Sequence, residues 1–313
     1  MRSSGVLALL AATVVVGGCA AVGFESDESR PFPLEDRIYR LLVLPHDGVL
    51  TWRGVGDPVL EFNRNGAAWP LRQIDGVPVA FGRSPSGDSI VIASQREHRP
   101  LDGTAAMDTL SVFETATSRN IDATITPLGW STFAVAVDDE ATTIAAAVAT
   151  SDSFIVPKNV VRYAQVGSSD VRTVSFAATL DIGEDALVDQ LFFDGDTLLV
   201  NFGKASCLVA AVPYRRSSQA RCLVRPDDLP ANDIDDPIVE ILSSCGGRII
   251  LEVHPRTNPP TGRLFTAEDG QLTPLDGFPQ SVHGYGASLD CEGTLATQAI
   301  DDPTKFNVEH VSR

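Results

Sequence analysis

Short apolar runs separated by polar turns repeat along the chain from Ile38 onward, with almost no helical periodicity. The clearest unit is 191–203, in which two apolar runs flank Asp194 and Gly195. An Asp-Gly pair between hydrophobic runs is typical of a tight β-hairpin turn, because both residues tolerate a positive φ. We therefore predict a pair of antiparallel strands here, with the turn at Asp194 and Gly195.

The same hairpin pattern occurs six times along the chain. The predicted turns lie near 46–48, 85–87, 138–140, 194–195, 245–247 and 291–293. Their spacing of about 40 to 55 residues is that of propeller blades with four strands each. The runs beside each turn are almost continuously apolar, as expected for strands buried on both faces. We predict an all-β protein, a six-bladed β-propeller over 37–313, with seven blades as the alternative.

The last blade is predicted to lack one strand. The pattern indicates about 23 strands, with four in each of five blades and three in the last, at 284–289, 294–300 and 306–311. The polar, proline-bearing segment 19–36 is either a tether or the strand that completes this blade. In the second case both ends of the chain would share one blade and close the ring.

One turn carries a family resemblance. Residues 84–87, Ser-Pro-Ser-Gly, are similar to the Ser-Pro-Asp-Gly repeat of TolB-type propellers, with Ser86 in place of the usual aspartate. The other five turns match that repeat poorly. The resemblance therefore implies a broad class of repeat propellers and no single family.

The first 18 residues have the composition of an export signal. Arg2 supplies a positive charge, and an apolar run follows over 6–16. A helix that spans a bilayer needs about 20 apolar residues, so this run is too short to be one. We predict a signal peptide at 1–18.

The end of this segment resembles the lipobox of bacterial lipoproteins. Residues 16–19 read Val-Gly-Gly-Cys, an aliphatic residue and two small residues before a cysteine. The resemblance implies cleavage before Cys19, acylation of its thiol and lipid anchoring in the bacterial cell envelope. Ala20, where an aspartate would signal retention at the inner membrane, favours the outer membrane. Ordinary cleavage with Cys19 as a plain thiol is the alternative.

The charge of the chain excludes some partners. The formal net charge is −17. Nucleic acids and anionic lipid surfaces are bound through lysine and arginine, so neither is an expected partner. Membrane association is therefore predicted to come from the lipidated N-terminus.

Four cysteines remain once Cys19 is assigned to the lipid: Cys207, Cys222, Cys245 and Cys291. An even number in an exported chain predicts disulfides, for which three pairings exist. Cys207 and Cys222 are symmetric about a predicted hairpin, whereas Cys245 and Cys291 occupy matching turns of neighbouring blades. We predict these two bridges. A zinc site is the competing interpretation, but the chain has no close pair of cysteines and no cluster of histidines.

No catalytic motif is recognisable. The five histidines are scattered, and no nucleophile elbow, phosphate loop or metalloprotease motif occurs. We predict no cofactor and no metal, and we favour a non-catalytic binding or scaffold module for a protein or glycan partner. The alternative is a propeller enzyme, a hydrolase or lyase acting on sugars or lactones.

The longer loops of a propeller are the expected binding surface. They connect the second and third strands of a blade, or one blade to the next, and rigid scaffolds tend to carry function on such loops. An acidic loop over 227–236 is read here as a solvated connector, with calcium binding as the alternative. The candidate binding face comprises Arg96, His98, Arg99, Asp227, Asp228, Asp233, Asp235 and Asp236.

Overall fold

The structure is a computed structural model of the 313-residue chain. It describes residues 37–46, 48–54, 59–71, 76–95, 108–114, 120–123, 125, 130–150, 160–176, 180, 182, 186–203, 205–214, 219–229, 237–254, 263–268, 271–275, 287–299 and 302–311. Within these ranges the chain forms 23 strands and one short 3-10 turn at Pro226–Asp228.

The strands form six antiparallel sheets, each built from consecutive strands. The first two blades contain β1 (Ile38–Leu44), β2 (Gly48–Arg53), β3 (Val59–Arg64), β4 (Ala67–Pro70), β5 (Val77–Arg83), β6 (Ser89–Gln95), β7 (Asp108–Glu114) and β8 (Asn120–Ala123). The next two contain β9 (Trp130–Val137), β10 (Thr143–Thr150), β11 (Val160–Gln165), β12 (Val171–Ser175), β13 (Val188–Asp194), β14 (Thr197–Phe202), β15 (Val209–Pro213) and β16 (Arg221–Val224). The last two contain β17 (Ile238–Cys245), β18 (Arg248–His254), β19 (Arg263–Glu268), β20 (Gln271–Pro274), β21 (Ala287–Leu289), β22 (Thr294–Gln298) and β23 (Phe306–His310).

The hydrophobic core is divided into six clusters, one between each pair of neighbouring blades. One cluster joins the last blade to the first through Ala296 and Val43. The sheets therefore form a closed ring, and the prediction of six blades is confirmed. The first strands of neighbouring blades contact one another, so they are the inner strands around a central channel.

Hydrogen bonds also close the ring. Ile38 N donates to Pro303 O at 2.9 Å, and Val43 N donates to Ser288 Oγ at 3.0 Å. Among the described residues the sixth blade has three strands, as predicted. The further prediction that 19–36 completes this blade falls outside the described residues.

The hairpin of β13 and β14 differs from the prediction by one residue. Asp194 pairs with Thr197, so the turn residues are Gly195 and Asp196. Gly195 has φ 55°, as the first turn residue of a type II′ hairpin does. Asp194 is the last strand residue, and its Oδ2 accepts hydrogen bonds from the next blade, from Ser244 Oγ and Gly247 N, both at 2.9 Å.

Both predicted disulfides form. Cys207 pairs with Cys222 at a Cα–Cα distance of 5.8 Å, within the outer half of the fourth blade. Cys245 pairs with Cys291 at 5.7 Å and joins the fifth blade to the sixth. The second bridge holds together two consecutive blades, with its cysteines 46 residues apart in the sequence.

Candidate functional site

The two faces of the ring differ in construction. We call the face that carries the six inner-hairpin turns the turn face. Turns of neighbouring blades are bound together there, for example by the Cys245–Cys291 bridge and by a 2.7 Å hydrogen bond from Ser86 N to Asp139 Oδ1. We call the opposite face, on which the blades are connected, the connector face.

The predicted binding face lies largely outside the described residues. This applies to Arg96, His98, Arg99, Asp233, Asp235 and Asp236. Asp227 and Asp228 are exposed in the 3-10 turn on the connector face, and Asp228 Oδ2 accepts a 2.7 Å hydrogen bond from Arg225 N. Asp228 thus stabilises its own turn, and the proximity of the basic and acidic loops remains a prediction.

Two glutamates face each other on the inner hairpin of the fifth blade. Glu240 of β17 pairs directly with Glu252 of β18. Residues paired in this way project from the same face of a sheet, with Cβ atoms about 5 Å apart. Glu240 is partly accessible to solvent and Glu252 is fully buried. Neither carboxylate oxygen of Glu252 has a hydrogen-bond partner in the part of the chain that the structure describes.

Charges from two other blades act on Glu240. Burial raises the pKa of Glu240 to about 7, the positive charge of Arg40 lowers it, and the negative charge of Asp189 raises it. Arg40 belongs to the first blade and Asp189 to the fourth. Because the first and fifth blades are not neighbours, the charge of Arg40 acts on Glu240 across the channel.

Burial also raises the pKa of Glu252 well above its usual range, and the charge of Glu240 raises it further. Two carboxyl groups this close cannot both ionise without mutual repulsion. Near neutral pH the pair therefore retains at least one proton. We call Arg40, Asp189, Glu240 and Glu252 the channel cluster.

Side chains of the fourth blade hold Glu240 in place. Gln190 Oε1 accepts a 2.8 Å hydrogen bond from Ile241 N, and Asn201 Nδ2 donates to Val239 O at 2.5 Å. The backbone is thus bound on both sides of Glu240. Such double support is expected where a side chain must be kept at a defined position.

The opposite end of the channel is closed by Arg83. Its guanidinium extends from the second blade and donates to Leu289 O of the sixth, which is not a neighbouring blade. Burial lowers the pKa of Arg83 to about 10, and the negative charges of Asp290 and Asp139 oppose this shift. The side chain is 3% exposed. The channel is therefore blocked near the turn face.

The sequence analysis did not identify the channel cluster. The sequence feature that could have indicated the channel cluster is a charged residue within an otherwise apolar strand of an inner hairpin, as at Glu240 and Glu252. In the described ranges no group of three or more His, Cys, Asp or Glu side chains is arranged to hold a metal ion. None of the helices there is long and apolar enough to cross a membrane.

Comparison with known proteins gives no family for this chain. No family model matches, and no curated protein matches. A solved structure similar to it is a crystal structure of a nidogen/laminin complex, with 13% sequence identity and a TM-score of 0.47 over 80% of this chain and 83% of the other. The assignment rests on the sheets and core clusters themselves, which define the protein as a six-bladed β-propeller.

Proposed function

We propose that this chain is a lipid-anchored β-propeller of the bacterial envelope that binds a protein or glycan partner through its connector face. In this proposal 1–18 is a signal peptide, 19–36 is a tether or closing strand, and 37–313 is the binding domain. The Val-Gly-Gly-Cys sequence at 16–19 supports the anchor at Cys19, and the absence of an aspartate at Ala20 favours the outer membrane.

The difference between the two faces carries the binding proposal. The turn face consists of short turns that are bound to one another, and Arg83 blocks the channel behind them. On the connector face the inner strands begin with partly accessible ionisable side chains such as Arg40, Asp189 and Glu240. A partner that meets the connector face therefore finds charged groups held on a rigid scaffold, as binding sites require.

Cys19→Ser tests the anchor. The variant should leave the membrane fraction, because several acyl chains on one cysteine hold a protein stably and this variant has none. Cell fractionation with the wild type as reference measures the change. Wild-type recovery in the membrane fraction would contradict the anchor and leave the binding proposal intact.

Loop replacement tests the binding face. Residues 96–107 and, separately, 230–236 are replaced by short Gly-Ser linkers, and Glu292→Gln serves as a control on the turn face. Each protein is cross-linked in native membranes and purified, and its thermal unfolding is measured in parallel. We expect both loop variants to lose a cross-linked species that the control retains, at an unchanged unfolding temperature. Retention by both folded loop variants with loss in the control would place binding on the other face.

The channel cluster supports a second candidate, the propeller hydrolase or lyase. A carboxyl group whose pKa lies near neutrality is suited to proton transfer. If the protein acts in this way, it should cleave members of a panel of aryl glycosides and lactones. Glu240→Gln should abolish that cleavage while Glu268→Gln, an exposed change on the same blade, leaves it intact. Lack of turnover across the panel would favour the non-catalytic function.

A further inference from the structure

We propose that the channel cluster receives a basic side chain of a protein partner, an inference that rests on the proposed binding function. The side chain enters from the connector face, and the carboxyl groups of Glu240 and Glu252 bind it. This inference specifies the chemistry of the partner: an exposed lysine or arginine presented on a protein segment. It applies to the connector-face end of the channel, because Arg83 crosses the channel at the other end.

The first support is that the buried carboxyl group of Glu252 has no hydrogen-bond donor among the described residues. A buried carboxyl group is normally surrounded by hydrogen-bond donors, and leaving it without them costs free energy. Glu252 is fully buried, and its two oxygens have no donor among the described residues. An ammonium supplies three N–H donors and a guanidinium five, so either would satisfy what the fold leaves open.

The second support is the charge around the pair. Arg40 is the cation whose charge acts on Glu240, whereas the negative charge of Asp189 raises the pKa of Glu240 and the charge of Glu240 raises that of Glu252. Arg40 thus compensates only Glu240, and the acidity of the whole chain, at −17, attracts a basic partner toward the surface. Removing carboxyl groups from water costs free energy, and a positively charged ligand compensates that cost. A cation is therefore the ligand that this arrangement favours.

The third support is access. Glu240 is partly accessible, and Glu252 lies behind it on the neighbouring strand. Lysine and arginine carry their charge at the end of a long apolar stem. Such a side chain can place its charged head between the two carboxyl groups while the partner backbone stays outside the channel.

Binding of a cation should release a proton. The free pair retains a proton near neutral pH, and a positive charge between the carboxyl groups favours ionisation of both. Binding is therefore expected to tighten as pH rises from 5.5 to 8. The other groups that bear on this titration are Arg40 across the channel, Asp189 on β13 and His254, two residues beyond Glu252 on β18.

The test uses the mature domain and a defined probe, the peptide Ac-Gly-Gly-Lys-Gly-Gly-amide, with its acetyl-lysine analogue as control. Isothermal titration at pH 7.5 in two buffers of different ionisation heat gives both affinity and protons released. We expect binding of the lysine peptide with net proton release and no binding of the analogue. Glu240→Gln and Glu252→Gln should each weaken binding by about tenfold or more, as expected for loss of a charged hydrogen bond.

Glu268→Gln is the matched control, since it makes the same chemical change at an exposed position on β19 of the same blade. It should leave affinity and proton release unchanged. Equal binding of the acetylated peptide, equal weakening by Glu268→Gln, or wild-type binding by Glu240→Gln would each overturn the inference. Thermal unfolding of every variant confirms that it is folded.

The same variants separate this inference from the proposed function. If the loop replacements lose the cross-linked partner while Glu240→Gln and Glu252→Gln retain it, binding through the connector face stands and the cation site is wrong. If the glutamine variants lose both the peptide and the partner, both proposals hold. If the peptide binds as described but the loop replacements keep the partner, the cation site stands and the proposed binding face is wrong.

Discussion

Replacing Glu240 with glutamine should stabilise the protein at alkaline pH and leave its stability unchanged at acidic pH. The pKa of Glu240 is raised from 4.5 to about 7 in the folded protein, chiefly by burial. One pKa unit corresponds to about 1.4 kcal/mol, so ionised Glu240 costs the folded state up to about 3 kcal/mol. Its partial solvent access makes this figure an upper value.

The direction of the change in stability follows from which state of the protein, folded or unfolded, releases the Glu240 proton at the lower pH. Below pH 4.5 both the folded and the unfolded chain hold the proton, so Glu240 has no effect on the free energy of unfolding. Between pH 4.5 and 7 the unfolded chain releases its proton first, and stability falls as pH rises. Above pH 7 the penalty is constant. Glutamine remains neutral throughout, so the advantage of Glu240→Gln should grow over this window.

Urea unfolding under non-reducing conditions, followed by tryptophan fluorescence, measures the effect at intervals from pH 4.5 to 8.5. The quantity of interest is the difference in the free energy of unfolding between variant and wild type, because the titration of distant groups cancels in it. Glu268→Gln should show a small difference at every pH. A difference for Glu240→Gln that does not change with pH, or that is negative at pH 8, would refute the account of the channel cluster.

Two further variants test the ring itself. Serine at both Cys245 and Cys291 should lower the free energy of unfolding by about 4 kcal/mol, since that bridge closes a loop of 46 residues. Serine at both Cys207 and Cys222 should lower it by about 3 kcal/mol, since that loop is shorter. Urea unfolding measures both losses. Gly82→Ala should destabilise the protein by about 1 to 3 kcal/mol, because its Cβ would overlap the carbonyl oxygen of Val135 on the neighbouring inner strand, and thermal unfolding shows the loss.

The fold could be predicted because its determinants are local. An inner hairpin such as β17 and β18 is buried on both faces, so it reads as two apolar runs around a turn, and that reading repeats in every blade. The Cys207–Cys222 bridge followed from the symmetry of one hairpin, and the Cys245–Cys291 bridge from matching turns in neighbouring blades. The turn lies one residue later than predicted, because Gly195 takes the first turn position of a type II′ hairpin and Asp194 remains in the strand.

The channel cluster could not be predicted, because its members meet only when the ring closes. Arg40 and Glu240 lie on the first and fifth blades, far apart in sequence, and Asp189 comes from the fourth. A charged residue in an apolar strand signals that something polar is buried, but the partner depends on tertiary structure. For the same reason the sequence analysis placed the candidate site on the loops alone and overlooked the inner strands beneath them.

The two ends of the channel treat buried charge differently, and this contrast is the strongest argument for function at one of them. At the turn face Arg83 donates to a carbonyl oxygen and lies within the influence of Asp139 and Asp290, so the molecule compensates part of its charge, although Nε and Nη1 have no hydrogen-bond partner among the described residues. At the connector end Glu252 has no such donor among the described residues, and the pair retains at least one proton near neutral pH instead. Apolar residues at both glutamate positions would stabilise the fold more. A site that retains this cost, next to the face that carries the loops, is therefore best explained by a cation that arrives from outside the molecule.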